Sequence, residues 1–431
     1  MAGAGHCKRS RYNGGMKDIG SISKNTGAAP TVKYDICIVG NGAVGKAAAL
    51  GLAQMGLRVA LLGMAPPAAP SAPSADVWDT RVYALNHVAR SLLSTVKVWD
   101  ALDPTRISAV EGMTIRGGTD SAAGTLTFDA YSAHVDALAW IVEDGNLNQA
   151  LDAALKFASN VRVLSGRAKT MQVDATAATL QLESGEAIDA ALLVGADGAQ
   201  SWVRGQCQIG IDYRSYRQRG VVANFACERP HHGIAYQWFT ETEGIVALLP
   251  LPGQRVSLVW SAPEALALSL LDEPLSQLAA RLSILAGDKL GQLQALQPEL
   301  AQAFPLSLLK THALVAPRVA LIGDAAHVVH PLAGHGMNLG FGDVTALIQV
   351  LAERGAHRDC GDAGVLARYA RARKEEILLM QMTTDGLERL FGVDIGPLRL
   401  LRNLGLNLLN NVPVLKRQLM AHALGRTADN E

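Results

Sequence analysis

The run 34–39 (YDICIV) is almost wholly apolar and ends at a glycine, which predicts a short buried strand. Residues 43–55, rich in Ala and Leu, predict a helix, and 58–62 (RVALL) predict a second buried strand. Strand, glycine turn, helix and strand within about thirty residues make a βαβ unit, the building block of a parallel sheet. That pattern then stops. The stretch 65–76 (APPAAPSAPSAD) predicts a loop or polyproline segment that interrupts the domain. Between 220 and 261 the texture changes to short β-rich runs (VVANFAC, IAYQWFT, GIVALLPL, RVSLVW) separated by polar turns, which predict an antiparallel sheet in a second domain. From 318 (RVALIGDAAHVVHPLAGHGMNLG) the order strand, glycine turn, helix returns, as though the chain re-enters the first domain, and from about 343 the pattern is helical. Residues 1–32 are Gly/Ser/Lys-rich and aperiodic, and predict a disordered tail.

At roughly 150 residues per domain, the 431-residue chain has room for two or three domains. Its 39 Lys+Arg balance 39 Asp+Glu, so no electrostatic argument supports a nucleic-acid partner. The cysteines (Cys7, Cys37, Cys207, Cys227, Cys360) are scattered without C-x-x-C spacing, which favours a reducing compartment over a disulfide framework or thiolate metal site. Apolar runs break well short of the roughly 20 residues that a membrane span needs. Lys8, Arg9, Arg11, Lys17 and Lys24 precede no apolar run of the secretory-signal kind, which leaves a disordered tail or else an organelle transit peptide, and a cytoplasmic location is expected.

Three motifs carry chemistry. The first is GNGAVG at 40–45, between strand and helix: Gly40 permits the tight turn, Gly42 lets a pyrophosphate approach the backbone, and Gly45 lets helix and strand pack closely, with the phosphates at the helix N-terminus beside Ala43. The acid expected near the end of the second strand, for the adenosine ribose, is missing, since Leu62 and Gly63 stand there. Backbone, water or a nearby group such as Asp76 is left to take its place. The second motif is LLVGADGAQSWVR at 192–204, in which Asp197 and Gly198 end a strand and Arg204 lies on the next helix. The third is 318–340. There Asp324 is placed to accept from a ligand hydroxyl or to cap a helix, and Gly323 lets a chain pass close to the backbone. Pro331 to Leu339 reads as a turn opening a helix, with Gly334 and Gly336 where a side chain would block approach to its N–H groups, and Asn338 and Leu339 in its first turns. His327, His330 and His335 lack a carboxylate or Cys at ligand spacing, so no metal is expected. No G-x-S-x-G elbow supports hydrolase chemistry.

In this order and spacing the three motifs resemble the group A flavoprotein monooxygenases, and DTRVYALN (79–86), TTDGLERLF (383–391) and the tail RNLGLNLLNNVPVLKRQLM are similar to the ubiquinone-biosynthesis hydroxylases among them. The resemblance spans about 34–425. It implies an α/β (α+β) fold of the para-hydroxybenzoate-hydroxylase kind. A Rossmann-like FAD-binding domain (33–110, 140–210, 311–380) would interleave with an antiparallel β-sheet substrate domain (111–139, 211–310), followed by a helical C-terminal segment (381–431). It implies FAD, with NAD(P)H as transient electron donor, and hydroxylation of a prenylated phenol by molecular oxygen through a flavin 4a-hydroperoxide. It also implies FAD contacts from Arg81, Asp197 and Gly198, and from the helix that Pro331 opens. His335 stands where the family more often has Gln. Trp238 and Phe239 are candidates for the substrate pocket or for ordinary sheet core, with Pro331 over the flavin; no residue is assigned as general acid or base. The basic, leucine-rich tail with Arg402, Lys416, Arg417 and Arg426 would lie on a membrane surface, peripheral to the inner membrane, or pack on the enzyme or a partner subunit. The rival readings are the same chemistry on another aromatic compound and a non-catalytic flavin-fold subunit of a biosynthetic complex.

Overall fold

The computed structural model describes residues 32–64, 77–118, 124–240, 242–296, 301–330 and 335–392. The first apolar run forms the strand Val32–Val39, hydrogen-bonded in parallel to Val59–Gly63 on one side and to Ala187–Gly195 on the other. Val161–Ser165 and Val319–Leu321 extend the parallel set outward. Antiparallel strands (Ala178–Leu182 with Ala168–Val173, and Val315–Ala316) complete an eight-stranded sheet. Ile36 and Ile38 pack into one core cluster and Cys37 into another, so both faces of the central strand are covered, which is why its run is apolar without alternation. The helix after the glycine loop, Ala43–Gln54, is built of small residues. A Cβ on Gly51 would overlap Ile348 of the helix His335–Ala352, so these two helices, carrying the first and third motifs, approach closely.

Leaving this sheet, the chain builds a small three-stranded one (Val82–Leu85, Ala139–Glu143, Ile107–Val110) and a nine-stranded one. The latter centres on the long strand Ile211–Cys227, flanked by Gln302–Thr311 and Arg255–Pro263. Ile245–Leu251 and Ile234–Phe239 follow in antiparallel order. The expectation of an antiparallel sheet needs one amendment: Gly112–Arg116 joins Ile234–Phe239 in parallel. That strand arrives from a separate excursion, not through a hairpin, so no turn forces its direction. One face of the sheet is covered by the helices Glu264–Asp272 and Leu275–Leu290, where Phe225, Trp238 and Trp260 pack with Leu278 and Leu282. The opposite face meets the three-stranded sheet through Ala235, Leu251, Trp78 and Ile141.

The two large sheets are joined where the third motif passes. Val319–Leu321 belongs to the first, the turn Gly323–Ala325 follows, and His327–Val328 pairs with Gln302–Thr311 of the second. The helix Ala363–Gly392 runs on from there, and among the described residues no helix is long and apolar enough to cross a membrane. The tail 1–31, the Pro/Ala stretch with Asp76, Pro331, Gly334 and the segment 393–431 lie outside the described residues.

Candidate active site

Parallel neighbouring strands end on the same edge of their sheet, so the glycine loop after Val39, the Asp197 turn after Gly195 and the Gly323–Asp324 turn after Leu321 come side by side. Gly40 has φ +115°, and a Cβ there would overlap the Ala196 carbonyl; a Cβ on Gly45 would overlap the Gly40 carbonyl oxygen. Both glycines are required by packing. Gly42 differs: a Cβ there would meet nothing within 4 Å. The helix it opens has no side-chain cap and no acid in its first turn, so the N–H groups at its start have no intrahelical partner and form a cradle for an anion.

The floor beside this cradle is made of glycine. Gly323 has φ +60° and its Cβ would lie 3.3 Å from Val44, while a Cβ on Gly340 would lie 2.9 Å from Val44 Cγ2. Next to it, Asp324 is open to solvent by area yet surrounded by protein, as expected for the wall of a cleft. Burial pushes its carboxyl up, against the pull of His327 and Arg81, and among the described residues no protein group donates to it. Arg81 is exposed and its guanidinium makes no hydrogen bond or ion pair among the described residues; it sits 5.6 Å from the Tyr83 ring centre. Tyr83 OH donates to Asp144 Oδ1 at 2.7 Å, Asn148 Nδ2 donates to the same oxygen at 2.9 Å, and Lys46 Nζ donates to Asn148 Oδ1 at 3.1 Å. Tyr83, on whose ring Arg81 rests, is thus tied to the glycine-loop helix through a chain of bonds.

Behind the floor lies a buried ionic network. Asp343, with 0% exposure, accepts from His327 Nε2 at 2.6 Å and Gly323 N at 2.8 Å on one oxygen, and from Arg373 Nε at 2.7 Å on the other. Arg373 also donates to the Leu339 carbonyl at 3.0 Å. Burial opposes the charge on Asp343, but His327 and Arg373 outweigh it and hold the carboxyl below the ordinary range. This network fixes the Gly323 turn against the start of the helix His335–Ala352. It escaped the sequence reading, although Asp343 is the single carboxylate in a mostly apolar helical stretch, a signal for a buried, paired acid. His330 is also fully buried: its Nε2 lies 3.1 Å from Gln218 Oε1, Tyr216 packs edge-on against its ring, and desolvation pushes its pKa down to about 4.

The other expected site residues fall in two groups. Ala43 and Gly198 lie at the convergence, Ala43 at the start of the glycine-loop helix and Gly198 with φ +81°; Gly336 has nothing within 4 Å of a Cβ. Asp197 has its carboxylate committed to capping, accepting from Ser201 Oγ and from Val203 N at 3.0 Å, and Arg204 is buried, donating to the Ala325 and Ala199 carbonyls. Asn338 spans to the segment after Arg81, donating to Ala84 O at 2.8 Å and accepting from Asn86 N at 3.0 Å, while Leu339 is in a hydrophobic cluster with Val329 and Ile377. These side chains build the site's walls. Trp238 and Phe239 separate, as neighbours on a strand must. Trp238, 2% exposed, stacks on Tyr236 in the helix-covered core, and Phe239 packs with Ile245 and Ile115 apart from it.

Residues 33–381 match the family described as FAD binding domain. The chain is 37% identical over 398 residues to the 3-demethoxyubiquinol 3-hydroxylase of Escherichia coli K12, covering 91% of this chain and 98% of that protein. It is 34% identical over 402 residues to the ubiquinone hydroxylase UbiL of Rhodospirillum rubrum, covering 93% and 91%. Among solved structures, p-nitrophenol 4-monooxygenase PnpA from Pseudomonas putida DLL-E4 has the same fold, with a TM-score of 0.73 at 19% identity over 92% of this chain and 99% of that one.

Proposed function

This chain belongs to the FAD-binding-domain family and, within it, to the ubiquinone-biosynthesis hydroxylases, and from that premise we propose that it hydroxylates the ring of a polyprenylated phenol on the way to ubiquinone. One atom of molecular oxygen enters the ring and the other leaves as water, with two electrons from NAD(P)H. The observation that carries the reading is the convergence, around a glycine floor, of an uncapped helix start with a carboxylate and a guanidinium that make no hydrogen bond or ion pair among the described residues. These are the donors and acceptors that a pyrophosphate and a ribityl chain need, so the residues present fit FAD. In this reading residues 33–110, 140–210 and 311–380 serve the cofactor, and 111–139 and 211–310 the substrate.

FAD, when bound, supplies the redox and oxygen-activating chemistry. The N–H groups after Gly42 hold the pyrophosphate, with Arg81 adding charge. Asp324 accepts from a ribityl hydroxyl, and the Gly323 and Gly336 backbones allow close approach. The Asp343 network keeps that turn from shifting, which would hold the cofactor in one place. On the substrate side, Asn224 Oδ1 and Ser257 Oγ are buried without a hydrogen-bond partner among the described residues, and the two residues face each other across neighbouring strands. Asn224 Nδ2 meanwhile donates to Asp79 O at 2.9 Å, beside Arg81. Polar substituents on the substrate ring would satisfy both oxygens.

We place the protein at the cytoplasmic face of the inner membrane, where a prenyl tail resides. Leu378, Leu379 and Met382 are exposed on the helix that leads into the basic tail with Arg402, Lys416 and Arg417, which supports surface attachment. The catalytic reading is tested in a strain lacking its ubiquinone-ring hydroxylase, by mass spectrometry of its quinone lipids. Expression of this chain is expected to remove the oxygen-poor prenylated precursor; its persistence beside yellow, soluble protein would overturn the substrate assignment.

A further inference from the structure

A dinucleotide held at a glycine loop needs an acceptor for its adenosine ribose at the tip of the next strand, usually an Asp or Glu about twenty residues on. Here that strand ends at Leu62 and Gly63, and neither carries an acceptor. The space is occupied from another direction. A Cβ on Gly63 would overlap Asn41 Cγ and Oδ1 and lie 2.6 Å from Asn41 Cβ. Asn41 Oδ1 therefore stands as close to that point as an aspartate's own carboxylate oxygen stands to its Cβ.

The orientation of the amide is settled by its other bond. Asn41 Nδ2 donates to Met64 O at 2.8 Å, and a carbonyl can only accept, so the oxygen is the free end. Among the described residues nothing donates to Asn41 Oδ1. The loop is held against the strand tip by Gly40 N donating to Leu62 O at 2.8 Å, so Asn41 is presented beside Gly42, where the pyrophosphate would lie. We propose that Asn41 binds the adenosine ribose in place of the absent acid, and that glycine stands at 63 because any side chain there would collide with it. The role has moved from the strand tip into the glycine loop, exchanging a charged acceptor for a neutral one. This inference rests on the FAD reading above.

The test uses the full-length chain stripped of flavin and titrated with FAD and with an FAD analogue carrying 2′,3′-dideoxyadenosine, followed by flavin fluorescence. Wild type is expected to bind the analogue roughly tenfold more weakly than FAD, the worth of one or two hydroxyl hydrogen bonds. Asn41→Ala is expected to bind both alike, at the weaker value. Gly63→Glu alone is expected to lose FAD through its clash with Asn41, and Asn41→Gly combined with Gly63→Glu to regain it, since the acid then has room. Discrimination retained by Asn41→Ala, or a double variant no better than Gly63→Glu, would overturn the proposal. Wild type that binds no FAD would instead sink the cofactor reading on which it rests.

Discussion

Gly40, Gly42 and Gly45 share a motif but not a job. At Gly40 and Gly45 a methyl group would strike backbone, so alanine there is expected to lower the melting temperature along with flavin retention. At Gly42 the backbone is extended, with φ −70°, and nothing lies within 4 Å of a Cβ. Gly42→Val is therefore expected to leave the fold standing and to lose the yellow colour, because the side chain occupies the pyrophosphate path. Measuring melting temperature beside flavin absorbance separates the two behaviours, and a yellow, fully active Gly42→Val protein would refute the cradle. His330 yields a pH dependence. Its folded pKa is about 4 against about 6.5 in an unfolded chain, so only the unfolded state binds the proton in between. The stability is present above the unfolded value and lost as pH falls from there through about 4, by about 3 kcal/mol in all. Denaturant titrations across that window are expected to show a flatter slope for His330→Phe than for wild type.

At the scale of elements, the helix Ala363–Gly392 is bound to the Gly323 turn by charge as well as by apolar packing. Asp343→Asn leaves the buried Arg373 guanidinium with the half-exposed Glu376 as its remaining counter-ion, which is expected to cost up to about 3–5 kcal/mol in denaturant stability. Pairing it with Arg373→Met is expected to cost less than the sum of the two, since the second change removes the stranded charge. Equal additivity would show that the two helices are held by other contacts. The second sheet carries a complementary case. Ser257 Oγ is a buried hydroxyl without a hydrogen-bond partner among the described residues, so Ser257→Ala is expected to keep or slightly raise stability while raising KM for the phenol. A lowered melting temperature with unchanged KM would remove Ser257 from the substrate pocket.

For the molecule as a whole, the chain passes from the first sheet to the second within 319–328, and Asn224 binds back to the Trp78–Asp79 backbone from the far side. The two large sheets are thus linked through 319–328, and Asn224 adds a second tie to the Trp78–Asp79 segment, which under the proposed reading suits a reaction that must exclude water. Attachment to the membrane belongs to this scale too. A chain ending before Pro397 is expected to stay folded and to lose co-sedimentation with anionic lipid vesicles; unchanged co-sedimentation would refute the membrane role.

Strand 34–39, the helix after Gly42 and the β-rich runs of 220–261 were legible because backbone geometry imposes a period on which residues are buried, and that period is local. The glycine motif was legible for the same reason: it describes a turn that a few consecutive residues make. The sequence by itself therefore determined those elements, the dinucleotide loop and the family. Only the tertiary structure decided which partner each polar side chain found. Asn338 reaches Ala84 across 254 residues and Arg373 reaches Asp343 across 30, and no local period encodes either bond. Nor did alternation along 234–239 say which face the helices of 264–290 would cover, and so that Trp238 would be core. The missing acid shows the difference most clearly. Its absence at Gly63 was plain in the sequence, whereas the side chain standing in that space comes from the neighbouring loop and is fixed by packing in three dimensions.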